Sequence, residues 1–433
     1  MYLVYSALLA LGLLISLPYW LWQALSHGKY RLGLNERFGE IHPRLKTADS
    51  RPCIWVHAVS VGEVLAVTAL VEELRKRFPA RRVVVSTTTD TGQKLARNRF
   101  GAENVFYFPM DFAFAISPYL RMLRPDLVVV AETEFWPNFL RLAHASGAKI
   151  AVVNGRISDR SLRGYGRIRW MLRSILENVD LFLAQTETDA SRLEQIGALP
   201  ERVKVSGNLK FDVPAPANAL IVESLRRHLE KTQAGPVLVC GSTVDDEEPL
   251  LLRAFEIVLA SYPQALLVLA PRHPERFAQV AERLEKLNIR YCRRSLWSGE
   301  PLAGSVLLMD TIGELAALYG IADIAFVGGS LVPRGGHNII EPARHGVPIV
   351  VGNHTENFRD IIGLFQSRDA VRIVGPAELP LTFMELLANP EERQALGKRA
   401  AETLHLQTGA TERTAENLTK LMTQGASKRK SAT

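Results

Sequence analysis

The sequence predicts an α/β chain of two doubly wound parallel-sheet domains behind an apolar N-terminal helix. Three observations predict it. At 433 residues the chain exceeds what one ordinary core organises, so two domains of roughly two hundred residues each are the natural division. Short apolar runs alternate with amphipathic stretches, the pattern of strand–helix units in a parallel sheet. A proline-rich break, Asp212-Val-Pro-Ala-Pro-Ala-Asn-Ala, separates two such series and suits an interdomain hinge. The expected boundaries are an anchor at 1–25, a first Rossmann-like domain at 26–213, a second at 214–422 and a basic tail at 423–433.

Met1 to Leu25 carries no charged side chain, a length sufficient for about 30 Å of hydrocarbon. Tyr19, Trp20 and Trp22 lie where amphipathic rings favour headgroups, and Lys29, Arg31 and Arg37 follow. By the positive-inside bias the helix is expected to cross the membrane once, leaving the rest of the chain in the cytoplasm. A cleaved signal peptide would need a charged n-region and a small-x-small site, which are missing; a hydrophobic helix lying on the surface is the other alternative. The net charge of +7 favours anionic partners such as phospholipid, nucleotide or a phosphorylated acceptor. Cys53, Cys240 and Cys292 lie far apart without metal-ligand spacing, so neither a disulfide framework nor a zinc site is expected.

In the first half, strands are predicted at Cys53–Val56, Val83–Ser86, Val105–Tyr107, Leu127–Ala131, Ile150–Val153, Leu181–Ala184 and Val203–Val205. In the second they are predicted at Val237–Cys240, Leu266–Leu269, Val306–Met309, Ile324–Val327 and Pro348–Val351. A helical stretch, Pro390–Met422, comes late, before the basic Lys428-Arg-Lys tail. Ligands of such sheets bind beyond the carboxyl ends of the strands, so the polar residues immediately after strands are the functional candidates.

After Val327 comes Gly328-Gly-Ser-Leu-Val-Pro-Arg-Gly-Gly-His-Asn-Ile-Ile-Glu-Pro. Gly335 and Gly336 permit close backbone approach, a helix beginning near His337–Asn338 would offer N–H donors to a phosphate, and Glu341 could accept ribose hydroxyls. A glycine turn with a capped helix and a surface glutamate is the alternative. Pro271-Arg272-His273 follows another strand and would place a guanidinium and an imidazole beside a donor's negative charge. Asp310-Thr-Ile312-Gly313-Glu314 follows a third; its main chain could grip a base, while Asp310 or Thr311 could cap a helix.

In the first half, His57-Ala-Val-Ser-Val-Gly-Glu sets Ser60, Gly62 and Glu63 at a strand-to-helix turn. Transfer of a group onto a hydroxyl needs a base to take its proton, and Glu63 is the carboxylate suited to that; otherwise it is a first-turn acid on a helix dipole. Glu132-Thr-Glu-Phe-Trp-Pro could hold an acceptor or tune Glu63. In Gly207-Asn-Leu-Lys210-Phe-Asp, Lys210 suits a substrate carboxylate or a leaving phosphate, or is an ordinary ion-pair lysine. Thr87-Thr-Thr-Asp-Thr-Gly and Asn154-Gly-Arg-Ile-Ser are weaker candidates for an acceptor phosphate.

Together with the apolar helix, these motifs resemble the 3-deoxy-D-manno-octulosonic acid (Kdo) transferases of lipopolysaccharide assembly over nearly the whole chain. The resemblance implies a GT-B fold and transfer of Kdo from CMP-Kdo to a lipid A precursor, lipid IVA, at the bacterial inner membrane. It implies inversion at the anomeric carbon and no catalytic metal or cofactor; a nucleic-acid partner is not expected. Position by position, Glu63 matches the family's proton acceptor, Glu132 and Lys210 match residues that stabilise the transition state, and Pro271-Arg272, Ile312-Gly313-Glu314 and Asn338-Ile339-Ile340-Glu341 match the stretches that hold CMP. His273, Gly336 and His337 are further donor-side candidates, Ser60 and Gly62 acceptor-side ones.

Overall fold

The computed structural model describes residues 1–27, 33–46, 51–166, 168–213 and 219–430. The hinge residues Pro214–Asn218 and the flanking cations Lys29 and Arg31 therefore lie outside the described residues. The chain divides into two compact units, Met1–Val213 with Thr408–Thr433, and Pro214–Gln407.

The first unit is built on a seven-stranded sheet. Its strands are β1 (Cys53–His57), β2 (Arg82–Thr87), β3 (Val105–Tyr107), β4 (Pro125–Ala131), β5 (Lys149–Gly155), β6 (Leu181–Ala184) and β7 (Val203–Val205). All are paired parallel in the order β3-β2-β1-β4-β5-β6-β7. The sheet is covered on both faces, so its central strands read as unbroken apolar runs rather than alternating ones; Ile54, Trp55 and Val56, and Val128 to Val130, are fully buried. One face meets Tyr119 and Phe139, which together with Phe106 of β3 surround Trp55. The other meets Val64, Val67 and Leu70.

The second unit repeats the plan with β8 (Val237–Thr243), β9 (Leu266–Pro271), β10 (Tyr291–Arg293), β11 (Ser305–Leu308), β12 (Ile324–Val327), β13 (Ile349–Gly352) and β14 (Arg372–Val374). Their order is β10-β11-β9-β8-β12-β13-β14, again parallel throughout. The twelve predicted strands are all present. The two additional ones, β10 and β14, are short edge strands whose Tyr-Cys-Arg and Arg-Ile-Val sequences contain no apolar run.

The helices that matter below are α1 (Tyr2–His27), α2 (Val61–Arg77), α3 (Ala113–Leu123), α4 (Pro137–Ala145), α5 (Asp159–Gly166), α6 (Arg169–Leu176), α7 (Ile340–Arg344) and α8 (Ala410–Lys430). Within α1, Tyr2–Tyr19 is long and apolar enough to cross a membrane by length and composition.

The late helical stretch corrects the sequence expectation. It is two helices, Pro390–His405 and α8, and the chain from Thr408 onward belongs to the first unit instead of continuing the second domain to 422 before a separate tail. The cause lies in Asp212, whose carboxylate accepts the N–H groups of Gly409 and Thr411 at the head of α8. Arg413 then donates to the Ser206 carbonyl at 2.9 Å, Arg77 pairs with Glu412, and Ala410, Ala415 and Leu418 enter the same apolar cluster as Val64 and Val67. Composition alone shows an amphipathic helix, not which sheet it covers.

Candidate active-site clusters of the two units

In each sheet the chain reverses its direction of winding at one pair of neighbouring strands, β1 and β4 in the first, β8 and β12 in the second. The loops leaving those strands diverge there and open a crevice beyond the carboxyl ends. Glu63 and Glu132 follow β1 and β4, and His337 and Glu341 follow β12, while Lys210, Arg272 and Ile312–Glu314 come from the loops after β7, β9 and β11.

In the first unit, β1 delivers the turn from Ala58 to Ser60 and α2 begins at Val61. Glu63 sits in the first turn of α2, 8% exposed. Its Oε2 accepts the Val59 N–H at 2.8 Å and its Oε1 accepts the Ser60 hydroxyl at 2.9 Å. Val59 is itself held, because its carbonyl accepts the N–H groups of Thr88 and Thr89 at 3.1 Å each. The threonine loop after β2 thus fixes the residue that orients Glu63, and Thr89 also accepts from Gly92 N–H at the head of helix Asp90–Phe100.

Burial pushes the Glu63 carboxyl up to about 7, and the negative charges of Glu132 and Glu134 add to the rise against the opposing bonds from Val59 and Ser60. A carboxyl tuned to neutrality can take up and release a proton under physiological conditions.

Glu132 follows β4 with a positive φ of 58°, a left-handed backbone that a non-glycine residue adopts at some cost. Its N–H is fastened to the Val153 carbonyl at 2.8 Å, and Lys210 donates to its Oε1 at 3.3 Å. Lys210 is positioned in turn by asparagines: Asn154 Oδ1 accepts from Leu209 N–H and Asn208 Oδ1 accepts from Lys210 N–H, both at 3.0 Å. Burial, then the charge of Glu132, raises the Glu134 carboxyl. Phe135 packs on Tyr165 and Phe182, as ordinary core. His57 is also core: it is stacked on Phe108 and contacts Ser86 through Nδ1, and burial drives its pKa down to about 3.

In the second unit, β9 ends at Pro271 and the Arg272 N–H is bonded to the Thr243 carbonyl at 2.8 Å. The exposed Arg272 and His273 side chains act electrostatically on His337, whose pKa falls to about 4 through burial first and then these two charges. Arg272 also acts on Glu341, whose carboxyl is raised by burial and partly restored by Arg272 and Arg344. Arg272, His273, His337 and Glu341 therefore form one neighbourhood.

Helix α7 starts at Ile340 and is five residues long, not a helix opening near His337–Asn338. The Ile340 N–H is taken by Asn338 Oδ1 at 3.1 Å, and in the preceding glycine turn the Gly336 N–H is taken by the Gly329 carbonyl at 2.7 Å. Gly335 and Gly336 both have positive φ, and a Cβ on Gly335 would fall 2.3 Å from Asn357 Nδ2, so another residue there would be strained and would displace that side chain.

In the third loop, Glu314 pairs with Arg294 at 3.0 Å and receives the Thr311 hydroxyl. Asp310 accepts the Ser295 N–H at 2.8 Å and caps no helix. Ile312 is exposed and Gly313 has φ 91°.

Glu247 was not anticipated. It is fully buried after β8 and its two oxygens accept four main-chain N–H groups: Ser330 and Leu331 at 2.8 Å, Gly329 at 2.7 Å and Val244 at 3.1 Å. It thereby pins the loop after β12 to the loop after β8. The signal was the acidic run Asp245-Asp-Glu-Glu directly after an apolar strand. Among the described residues, no group of three or more His, Cys, Asp or Glu side chains is arranged to hold a metal ion.

Residues 33–213 match the family model described as 3-Deoxy-D-manno-octulosonic-acid transferase (kdotransferase). The chain is 36% identical over 392 residues to the 3-deoxy-D-manno-octulosonic acid transferase of Haemophilus influenzae, covering 89% of this chain and 90% of that one. It is 37% identical over 418 residues to the Bordetella pertussis enzyme of the same name, covering 92% and 94%. Among solved structures, the UDP-GlcNAc 2-epimerase of Neisseria meningitidis superposes with a TM-score of 0.57 at 15% identity, covering 85% of this chain and 99% of that one. A glycosyltransferase from Rickettsia africae gives 0.55 at 15%, covering 87% and 99%. These two likenesses establish the GT-B class of fold.

Proposed function

The chain belongs to the 3-deoxy-D-manno-octulosonic acid transferase family, and from that premise we propose that it transfers Kdo from CMP-Kdo to a sugar hydroxyl of a lipid A precursor, lipid IVA, with inversion and with Glu63 as the general base. The observation that carries this reading is the Glu63 carboxyl, held by Val59 and Ser60 at a strand's carboxyl end and brought to about 7 by burial.

In this mechanism Glu63 receives the acceptor hydroxyl proton while the hydroxyl oxygen bonds to the anomeric carbon and the bond to CMP breaks. The electron pair of that bond leaves on the CMP phosphate. Lys210, aligned by Asn208 and already against Glu132, supplies positive charge toward the carboxylate of Kdo as the sugar gains oxocarbenium character. In the second unit Arg272 meets the departing phosphate, Glu341 accepts ribose hydroxyls, and the Ile312–Gly313 backbone lies against the base. A monophosphate leaving group can be stabilised by fixed cations and N–H donors, and the proposal includes no metal; turnover unchanged by EDTA is the expected outcome. The apolar helix α1 attaches the enzyme to the membrane that holds its lipid acceptor.

The test is incubation of the full chain with CMP-Kdo and lipid IVA, followed by mass measurement of the lipid. A mass increase of one or more Kdo residues is expected, and Glu63→Gln should abolish it while CMP still raises the melting temperature. An unmodified lipid with the native chain, or near-normal turnover by Glu63→Gln, would overturn the transfer or the base assignment respectively.

A further inference from the structure

The reading of α1 as a membrane attachment leaves its direction open, and its contacts with the first unit bear on that. Its side chains divide into two stripes. Tyr2, Tyr5, Ser6, Leu9, Leu13 and Ser16 are half-buried, the Ser16 hydroxyl bonding the Gly12 and Leu13 carbonyls of the helix itself. Leu3, Val4, Leu8, Leu11, Leu14 and Ile15 face outward, with Leu3 87% and Ile15 73% exposed.

The half-buried stripe is engaged from the first residue of the helix. Asn178, just past α6, donates to the Tyr2 hydroxyl at 3.4 Å, and the Arg141 guanidinium lies 4.7 Å over the Tyr2 ring. Asn138 at the head of α4 donates to Ser6 Oγ at 3.0 Å, and the Tyr5 hydroxyl bonds the carboxylate of Asp111, which precedes α3. At the other end, only five residues separate His27 from Gly33, which lies against Tyr107 of the same unit; that many steps reach about 20 Å at most. Both ends of α1 are therefore tied to one globular body.

A crossing helix would carry Tyr2 about 30 Å away to the opposite surface, or would draw Asp111, Asn138 and Arg141 into hydrocarbon, where such groups are strongly disfavoured. We propose that α1 does not cross the bilayer but lies in its surface, its aliphatic stripe sunk in the acyl layer of an anionic membrane and its Tyr2, Tyr5 and Ser6 side chains held on the first unit. Charge supports that occupant. The α5–α6 pair, whose end touches Tyr2 through Asn178, exposes Arg160, Arg163, Arg169 and Arg173 around the 75% exposed Trp170, a composition suited to phospholipid headgroups. The inference rests on the membrane-attachment reading and not on the chemistry of transfer.

The test uses the full chain with Cys292→Ser; Cys53 and Cys240 are buried. A fluorophore on Leu3→Cys, Leu11→Cys or Ile15→Cys is followed on vesicles of phosphatidylethanolamine and phosphatidylglycerol containing shallow or deep nitroxide lipids. An in-plane helix gives all three positions the same preference for the shallow quencher, equal within about twofold. Deep quenching concentrated at Leu11, with the Leu3 label reached only by iodide inside the vesicle, would overturn the proposal, and so would absence of quenching at every position. Should a labelled variant fold poorly, the pair Ser6→Cys and Asn138→Cys provides a second measurement. It should form a disulfide as efficiently on vesicles as in detergent, and loss of the cross-link on vesicles would show that α1 leaves the domain. Lipid transfer is measured separately, so a surface-bound but inactive chain would count against the transferase reading and leave this one standing.

Discussion

Burial of Glu63 acts on rate and on stability in opposite senses as pH rises. As the proposed base it would work ionised, so kcat/KM should climb with pH through about 7. Glu132→Gln removes a neighbouring negative charge and should move that limb to lower pH, which a pH–rate profile would read directly. For folding, the carboxyl sits above its ordinary value of 4.5, so its contribution is fully favourable below about 4.5 and is lost as pH rises through about 7. Glu63→Gln, which keeps an acceptor for Val59 N–H, should therefore be more stable than the native chain at pH 8 by on the order of 2 kcal/mol. The difference should vanish at pH 4, by urea titration at both values. That Glu63 stands at a strand's carboxyl end was legible from His57-Ala-Val-Ser-Val-Gly-Glu; its proton affinity was not, because burial and the proximity of Glu132 and Glu134 are products of β1 and β4 being neighbours.

At the scale of the element, the loops proposed to hold the donor in the second unit depend on a carboxylate that touches no proposed ligand. Glu247 satisfies four buried N–H groups across the β8 and β12 loops, and removing it strands them without water. Glu247→Ala should lower the stability of that unit by about 3 kcal/mol or more and weaken CMP binding, measured by calorimetry. Central strands were readable because a sheet covered on both faces demands continuous Val, Ile and Leu; β10 and β14, each at an edge with one neighbour, escape that demand and their sequences do not announce them. The start of α7 was misplaced for a related reason: Asn338 supplies a cap from within an irregular turn, and the His-Asn-Ile-Ile sequence reads equally as a first helical turn.

For the whole molecule, the return of the chain to its first unit was the feature least visible in the sequence. An amphipathic helix declares that it covers something, while Asp212, Ser206 and Arg77 decide what. Leu418 is fully buried in the cluster shared with α2, so Leu418→Ala should cost about 2–4 kcal/mol. In a melt followed by tryptophan fluorescence, Trp55 should report a lowered transition while CMP binding by the second unit is retained.

Because Met1–Val213 is completed only by the residues from Thr408 onward, a nascent chain emerging from the ribosome cannot seal its first apolar cluster until those residues have been made. The later-synthesised Pro214–Gln407 unit contains every strand of its sheet and can close before the earlier one does. A stop codon a few dozen codons early would spare every proposed catalytic group, yet release a polypeptide whose N-terminal half has no lid over Val64 and Val67, and quality-control proteases would meet it first.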